Sequence, residues 1–393
     1  MNRFFRRRDK MKETEHAPSQ PVRRMAEWNR IIVRIDRNME RFTAENTPSF
    51  TINGRYTERH EPFHRMDQWT HSFFTGMTLQ AFQATGDPRY LRYIYSLQED
   101  YRRKVTADAL ETMHDLGFLY SLSETALYRT TGDREARAIG LLAATELAKR
   151  LNVQGRYIDA WSRMDRTDEE KSGLMIIDCM MNLPLLFWAW TETKHRFFRD
   201  AAAVHADTTL ERLVRDDFSV CHAFQFDPLT GEPLGERNYC GYGVGTAWAR
   251  GTAWALYGFA VAFRYTGKRK YLEAAEGIAR YYASQLPPDC VPVWDFRLPP
   301  GGPQLVDTSA AAISACGLLE LAELEGAQEP ARWRDLAERM IRSLSRPPYQ
   351  AEEEEESILR LAQCGDLQAG AIWGDYFYME ALLRLEGRAG IFW

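Results

Sequence analysis

The stretch GLMIIDCMMNLPLLFWAW, residues 173–190, holds a single acid, Asp178, inside a long apolar run. An isolated carboxylate buried in such a setting costs several kcal/mol, so it finds partners or takes up a proton. Asp178 is then either a hydrogen-bonded core acid or, if it lines a pocket, a proton donor. In a pocket, desolvation would raise its pKa enough to donate near neutrality. A second acid, Asp115, stands directly before a helical pattern in ETMHDLGFLYSLSETALY, residues 111–128. It is either a helix N-cap or a partner acid. In WARGTAWALYGF (248–259), Arg250 and Trp254 are four residues apart, so a helix presents them on one face. Arginine pairs naturally with a carboxylate and tryptophan with the face of a sugar. The alternative is a core tryptophan beside a surface ion pair, and Trp69 and Trp161 carry the same ambiguity.

Two further patterns point to less. HEPFH (60–64) matches the H-E-x-x-H zinc pattern, whose chemistry needs both histidines on one helical face. Pro62 disfavours a helix there and NGRYTER reads as a loop, so no metal is expected. GYGVG (241–245) resembles a phosphate loop, but no apolar strand precedes it and its glycines do not fit G-x-G-x-x-G. It reads as a flexible turn able to approach a ligand.

Helices must position these residues. AFQATGDPRYL, ALYRTTGDREA, FWAWTETKHRF, AFRYTGKRKYL, LAELEGAQEPARW and LLRLEGRAG each close an apolar helix with a short polar turn. Five carry glycine, at 86, 132, 267, 326 and 387, the usual residue just past a helix end. The sixth has Thr193 and Lys194 instead. Six turns imply six helical hairpins, each with an apolar face to bury against its neighbours. Such hairpins stack into an open solenoid or close into a double ring, an all-α (α/α)6 toroid. No Gly/Ser-rich linker interrupts the chain. The expected organisation is therefore a flexible basic tail over 1–24 and a single domain over 25–393. The segment RPPYQAEEEEES (346–357) reads as a solvated loop or helix start.

Composition narrows the function. The 393 residues are 45% apolar and 27% charged, as in a soluble globular protein. A net charge of −5 argues against general nucleic-acid binding. The opening MNRFFRRRDKMKETEHAPSQP has no apolar core and does not read as a secretory signal. Residues 174–190 are too short for a membrane span and contain Asp178, Asn182 and Pro184. Six widely spaced cysteines without a C-x-x-C pair suggest reduced thiols in a cytoplasmic protein. Eleven Trp, 18 Tyr and 20 Phe suit either a large core or a pocket with flat stacking surfaces.

DQWTHSFFTGM, MHDLGFLY, IIDCMMNLPLLFWA, VRDDFSVCHAFQFDPLTGE, WARGTAWALYGF, DTSAAAISACGLLEL and IWGDYFYMEALLRL together resemble glycoside hydrolase family 88, the unsaturated glucuronyl hydrolases. They run in family order from about residue 67 to 385. The resemblance implies the (α/α)6 toroid for residues 25–393, which agrees with the count of six hairpins made without it. It implies a substrate left by polysaccharide lyases, an oligosaccharide ending in a 4,5-unsaturated uronate. An acid protonates C4 of the enol ether, water adds at C5, and the hemiketal opens and expels the remaining sugar. By resemblance Asp178 is the general acid/base and Asp115 the assisting acid. Trp69, Trp161, His114, His222, Arg250 and Trp254 are pocket residues. Trp69 and Trp161 would stack on the sugar, while His222 and Arg250 would meet its hydroxyls and carboxylate. No metal or organic cofactor is implied, and nothing about oligomeric state.

The chain departs from the family at several polar positions. Cys240 stands where glutamine is usual, Val244 where an acid follows, and Cys179 where asparagine follows the catalytic aspartate. ILRLAQC lacks a histidine common in that loop. Either the preferred sugar differs or activity has weakened. Two alternatives follow: an unsaturated rhamnogalacturonyl hydrolase, which shares the fold, and a sugar-binding toroid without turnover. A helical epimerase would want paired catalytic histidines, and no convincing set is present.

Overall fold

A computed structural model of the chain describes residues 20–59, 69–388 and 392–393. The HEPFH segment and the first nineteen residues lie outside the described residues. The first helix, α1 (Gln20–Met39), begins four residues before the expected end of the basic tail. The chain then alternates between inner and outer positions. Inner α2 (His71–Thr85) is followed by outer α3 (Arg89–Lys104), then α4 (Leu116–Ser121) and α5 (Glu124–Thr131) share one inner position. Outer α6 (Arg134–Lys149), inner α7 (Leu183–Thr193), outer α8 (Arg196–Arg212), inner α9 (Ala249–Thr266) and outer α10 (Arg269–Ser284) continue the pattern. Inner α11 (Thr308–Glu323), outer α12 (Pro330–Leu344) and inner α13 (Ile372–Leu385) complete it. Each inner helix packs on the next, and α13 packs on α2, so the inner ring closes. The fold is the (α/α)6 toroid.

The burial pattern separates the rings. In α12, Trp333, Leu336, Ala337, Met340, Ile341 and Leu344 are buried at helical spacing, the one-sided stripe of an outer helix. In α9 every residue from Ala249 to Ala262 is buried, because neighbours cover an inner helix on all sides.

The six turns behave as their composition predicts. Gly86, Gly132, Gly267, Gly326 and Gly387 all have positive φ. The sixth turn places Lys194 at φ 59°, and its N–H is donated to Trp190 O. A non-glycine residue there carries a steric penalty of ~1 kcal/mol.

Short antiparallel hairpins occupy the connections that lead from outer to inner helices. They are β1 (Thr47–Ile52) with β2 (Arg55–Arg59), β3 (Leu151–Asn152) with β4 (Tyr157–Ile158), and β8 (Ala362–Cys364) with β9 (Leu367–Ala369). A three-stranded sheet orders β5 (Leu174–Ile176), β6 (Ala223–Phe226) and β7 (Pro233–Arg237). These connections gather where the inner helices begin, and there they build a pocket.

The glutamate run is not simply solvated. Side chains of Glu352 to Glu354 face water, but the backbone is strapped to α1. Arg34 Nε donates to Ser357 O at 3.0 Å, Asn38 Nδ2 donates to Glu356 O at 3.1 Å, and Arg37 donates to Glu355 O. Glu356 is buried, accepts from Tyr56 N at 2.8 Å and pairs with Arg41. Among the described residues no helix is long and apolar enough to cross a membrane.

Candidate active site

Asp178 does not sit in a regular helix. The run splits into β5, a 3-10 turn over Ile177–Met181, and α7. The turn wedges between α4 and α9, and two glycines permit the approach. A Cβ at Gly117 would lie 2.1 Å from Asn182 Cα, and one at Gly258 would lie 2.5 Å from Met180 Cβ. Side chains larger than hydrogen are excluded at both points. Asn182 Oδ1 accepts from Phe118 N at 2.7 Å and ties the turn to α4.

This wedge brings both acids to one cavity of about 920 Å³, lined also by Trp69, His114, Trp161, Lys171, Trp248, Arg250 and Trp373. Asp115 occupies the N-cap position of α4, yet its side chain makes no cap hydrogen bond. The side chain faces the cavity instead, so the capping alternative does not describe it. His114 Nε2 lies 3.6 Å from Asp115 Oδ1.

Electrostatics holds both carboxyls toward their neutral forms. Burial, then the negative charge of Asp178, pushes Asp115 up to about 8, against a hydrogen bond from Asn182. Burial pushes Asp178 up to about 6, and the nearby Arg250 charge pulls it back. The Trp254 N–H also favours the ionised form, although it completes no hydrogen bond of good geometry. The side chain of Asp178 keeps 19% exposure, enough to meet a ligand.

His222 packs behind Asp178, its Nε2 3.9 Å from Asp178 Oδ2. Its Nδ1 accepts from the backbone N–H groups of Tyr239 at 3.0 Å and Cys240 at 3.3 Å. Nδ1 is therefore the unprotonated nitrogen, and Nε2 carries the proton toward the acid. Burial, then Arg250, lowers the His222 pKa to about 3, so the ring stays neutral. Burial holds His114 well below the ordinary histidine range in the same way.

Arg250 lies in the first turn of α9 and is nearly buried. Its guanidinium pairs with Asp307, donates to Gln363 O at 3.0 Å and lies 4.5 Å over the Trp248 ring. Asp307 is fixed in turn as the N-cap of α11, accepting from Ser309 N at 3.0 Å and Ala310 N at 3.2 Å. Trp69 and Trp373 form one aromatic wall, with ring centroids 5.2 Å apart. Trp161, which also lines the cavity, packs on Tyr239 with ring centroids 5.3 Å apart.

Of the eight residues singled out in the sequence, Trp69, His114, Asp115, Trp161, Asp178 and Arg250 line the cavity. His222 stands directly behind Asp178. Trp254 is buried beneath the floor, packed on Phe118 at 5.1 Å and Phe377 at 5.3 Å, with only its N–H directed toward Asp178. Trp248, Asp307 and Trp373 lie within the family motifs, where their spacing alone does not mark them as site residues. Lys171 and Gln363 carried no pattern that spacing could reveal. The departures separate as well. Cys240 lines the cavity, and burial pushes its thiol up to about 12. Cys179 is fully buried, and Val244 is exposed outside the cavity. Among the described residues, no group of three His, Cys, Asp or Glu side chains is placed to hold a metal ion.

Indole rings thus wall a pocket over two carboxyls that burial holds toward protonation, at the end of the closed toroid where the inner helices begin. The chain belongs to Glycosyl Hydrolase Family 88, a family of glycosidases whose model matches residues 35–295. It is 38% identical over 336 residues to an unsaturated glucuronyl hydrolase of Bacillus sp. (strain GL1), covering 83% of this chain and 88% of that protein. It is 32% identical over 334 residues to an unsaturated chondroitin disaccharide hydrolase of Streptococcus pyogenes serotype M1, covering 83% of each. The crystal structure of the Bacillus sp. GL1 enzyme superposes with a TM-score of 0.84 at 34% identity, over 93% of this chain and 96% of that one. That of an unsaturated glucuronyl hydrolase specific for heparin gives 0.83 at 28% identity, over 93% and 97%.

Proposed function

We propose that the chain removes a 4,5-unsaturated uronate from the non-reducing end of lyase-generated oligosaccharides by hydrating its C4=C5 enol ether. The single observation that carries this reading is the Asp178–Asp115 pair on one cavity wall, both held toward protonation. An enol-ether carbon is a weak base, so its proton donor must arrive protonated, and burial favours that state in Asp178. Asp178 delivers a proton to C4, and its carboxylate then takes one from the water that adds at C5. Asp115 supports the step from the same wall, and neutral His222 offers its Nε2–H beside Asp178. Trp69 and Trp161 hold the sugar, with Trp373 extending the wall. The separation rule for retaining and inverting glycosidases does not apply, because the first bond is made at C4 and not at the anomeric carbon.

Residues 25–393 form the catalytic domain in this reading. The absence of disulfides among the six free cysteines supports a reducing, cytoplasmic setting. The test is a spectrophotometric screen with lyase-generated disaccharides from several polysaccharides. Loss of the ultraviolet absorbance of the conjugated double bond is expected with at least one substrate. A flat trace with all of them, from folded protein, would reject turnover in favour of binding alone.

A further inference from the structure

The cations around the cavity are not equivalent. Arg250 is buried and committed to Asp307 and Gln363. Arg163, just beyond the rim, pairs with Glu111 and with Asp165. Lys171 also lines the cavity, but it is exposed and forms no ion pair among the described residues. Its Nζ rests 4.7 Å over the Trp161 ring and 5.6 Å over the Tyr239 ring. A cation–π contact at an exposed site is weak, so little holds the ammonium there against a stronger partner. The acids Asp115 and Asp178 lie deeper, which places Lys171 at the mouth, where the sugar after the reacting ring must leave the pocket.

We infer that Lys171 is a specificity-determining residue that selects an oxyanion, a sulfate ester or a carboxylate, on the second sugar of the substrate. This rests on the hydrolase reading of the same pocket. The lysine is a mobile point charge with three donors, suited to a group whose position varies between substrates. Trp161 and Tyr239 hold it over the mouth until such a group arrives. A neutral second sugar leaves it on the rings and gains nothing from it.

The experiment compares wild type, Lys171→Met and Lys171→Arg on three disaccharides. Each begins with the unsaturated glucuronate, and the second sugar is unsulfated N-acetylgalactosamine, its 6-O-sulfated form, or a uronate. The readout is the ratio of kcat/KM for each charged substrate to that for the neutral one. In Lys171→Met this ratio falls about tenfold, as for loss of one charge-assisted hydrogen bond, mainly through KM. Lys171→Arg retains it. In wild type the ratio declines with added salt, whereas in Lys171→Met it does not. The arm that loses the ratio identifies sulfate or carboxylate as the selected group. A ratio unchanged in Lys171→Met, or an equal loss on all three substrates, overturns the assignment. The second result would mean that Lys171 meets the reacting uronate or merely braces Trp161. Calorimetry with the Asp178→Asn variant reads the same ratio as affinities. Selective binding without turnover in wild type would reject the hydrolase reading and keep the Lys171 assignment; absence of binding by all three would reject both.

Discussion

Replacing Asp178 by asparagine separates its chemical role from its energetic cost. The carboxyl is raised from 3.8 to about 6, so its ionised form destabilises the folded chain by about 3 kcal/mol at high pH. The sign follows from the raised folded-state pKa. Stability is full below about pH 3.8, falls as pH rises toward about 6, and is flat above that. The amide of the Asp178→Asn variant carries no charge, so the variant escapes the penalty at pH 8 and gains almost nothing at pH 4. For 393 residues the unfolding entropy is roughly 0.8 kcal/mol/K, which converts 3 kcal/mol into a Tm about 3–4 °C above wild type at pH 8. Turnover should meanwhile fall by ~10²–10⁴, the usual contribution of a general acid. Thermal unfolding at both pH values, with turnover measured on the same samples, tests both halves. A Tm difference of the same sign and size at pH 4 and pH 8 would refute the desolvation argument. Near-wild-type turnover would remove Asp178 from the mechanism.

Gly117→Ala drives a methyl group into the Asn182 backbone, so kcat/KM should fall at least tenfold and stability by ~1–3 kcal/mol, read from turnover and urea unfolding. Arg250→Met removes the charge that holds the Asp178 pKa down, so the alkaline limb of the kcat/KM–pH profile should move above about 6 while KM rises. An unmoved limb would show that Asp178 does not set it. Asp307→Asn leaves Arg250 without its buried counter-ion and should raise KM about tenfold or more, with a smaller effect on kcat. Lys194→Gly relieves the left-handed turn between α7 and α8 and should stabilise the fold by ~0.5–1 kcal/mol, measured as a shift in the urea midpoint.

The ring architecture was legible because each turn announces itself locally. Five glycines past apolar helices give the hairpins, and the sixth turn is betrayed by the polar TETK that interrupts an otherwise apolar run. The acids were legible for a different reason: a carboxyl in an apolar segment is costly enough to demand an account. Asp115 was ambiguous because the position before a helix is also where a capping acid belongs, and only its unmade cap bond in three dimensions separates the roles. Trp254 illustrates the limit of helical spacing. It shares a helix face with Arg250, but α9 is covered on every side, and one turn of depth takes the indole below the floor. Lys171 comes from a loop, and Gln363 from a three-residue strand too short to show a period that would place its side chain. The glutamate run misled because composition speaks for side chains, whereas the arginines of α1 bind its backbone carbonyls.

The contact between Trp69 and Trp373 has a meaning in time as well as space. These indoles are separated by about 300 residues of synthesis, on the order of 15–60 s on a ribosome at ~5–20 residues per second. Until α13 emerges, the nascent chain is an open arc whose α2 and α11 edges both lack a neighbour. The wall of the pocket is thus among the last surfaces the molecule acquires, and until then the unfinished arc exposes apolar helix faces of the kind that promote aggregation. Expression yield should therefore rise with chaperone supply during synthesis.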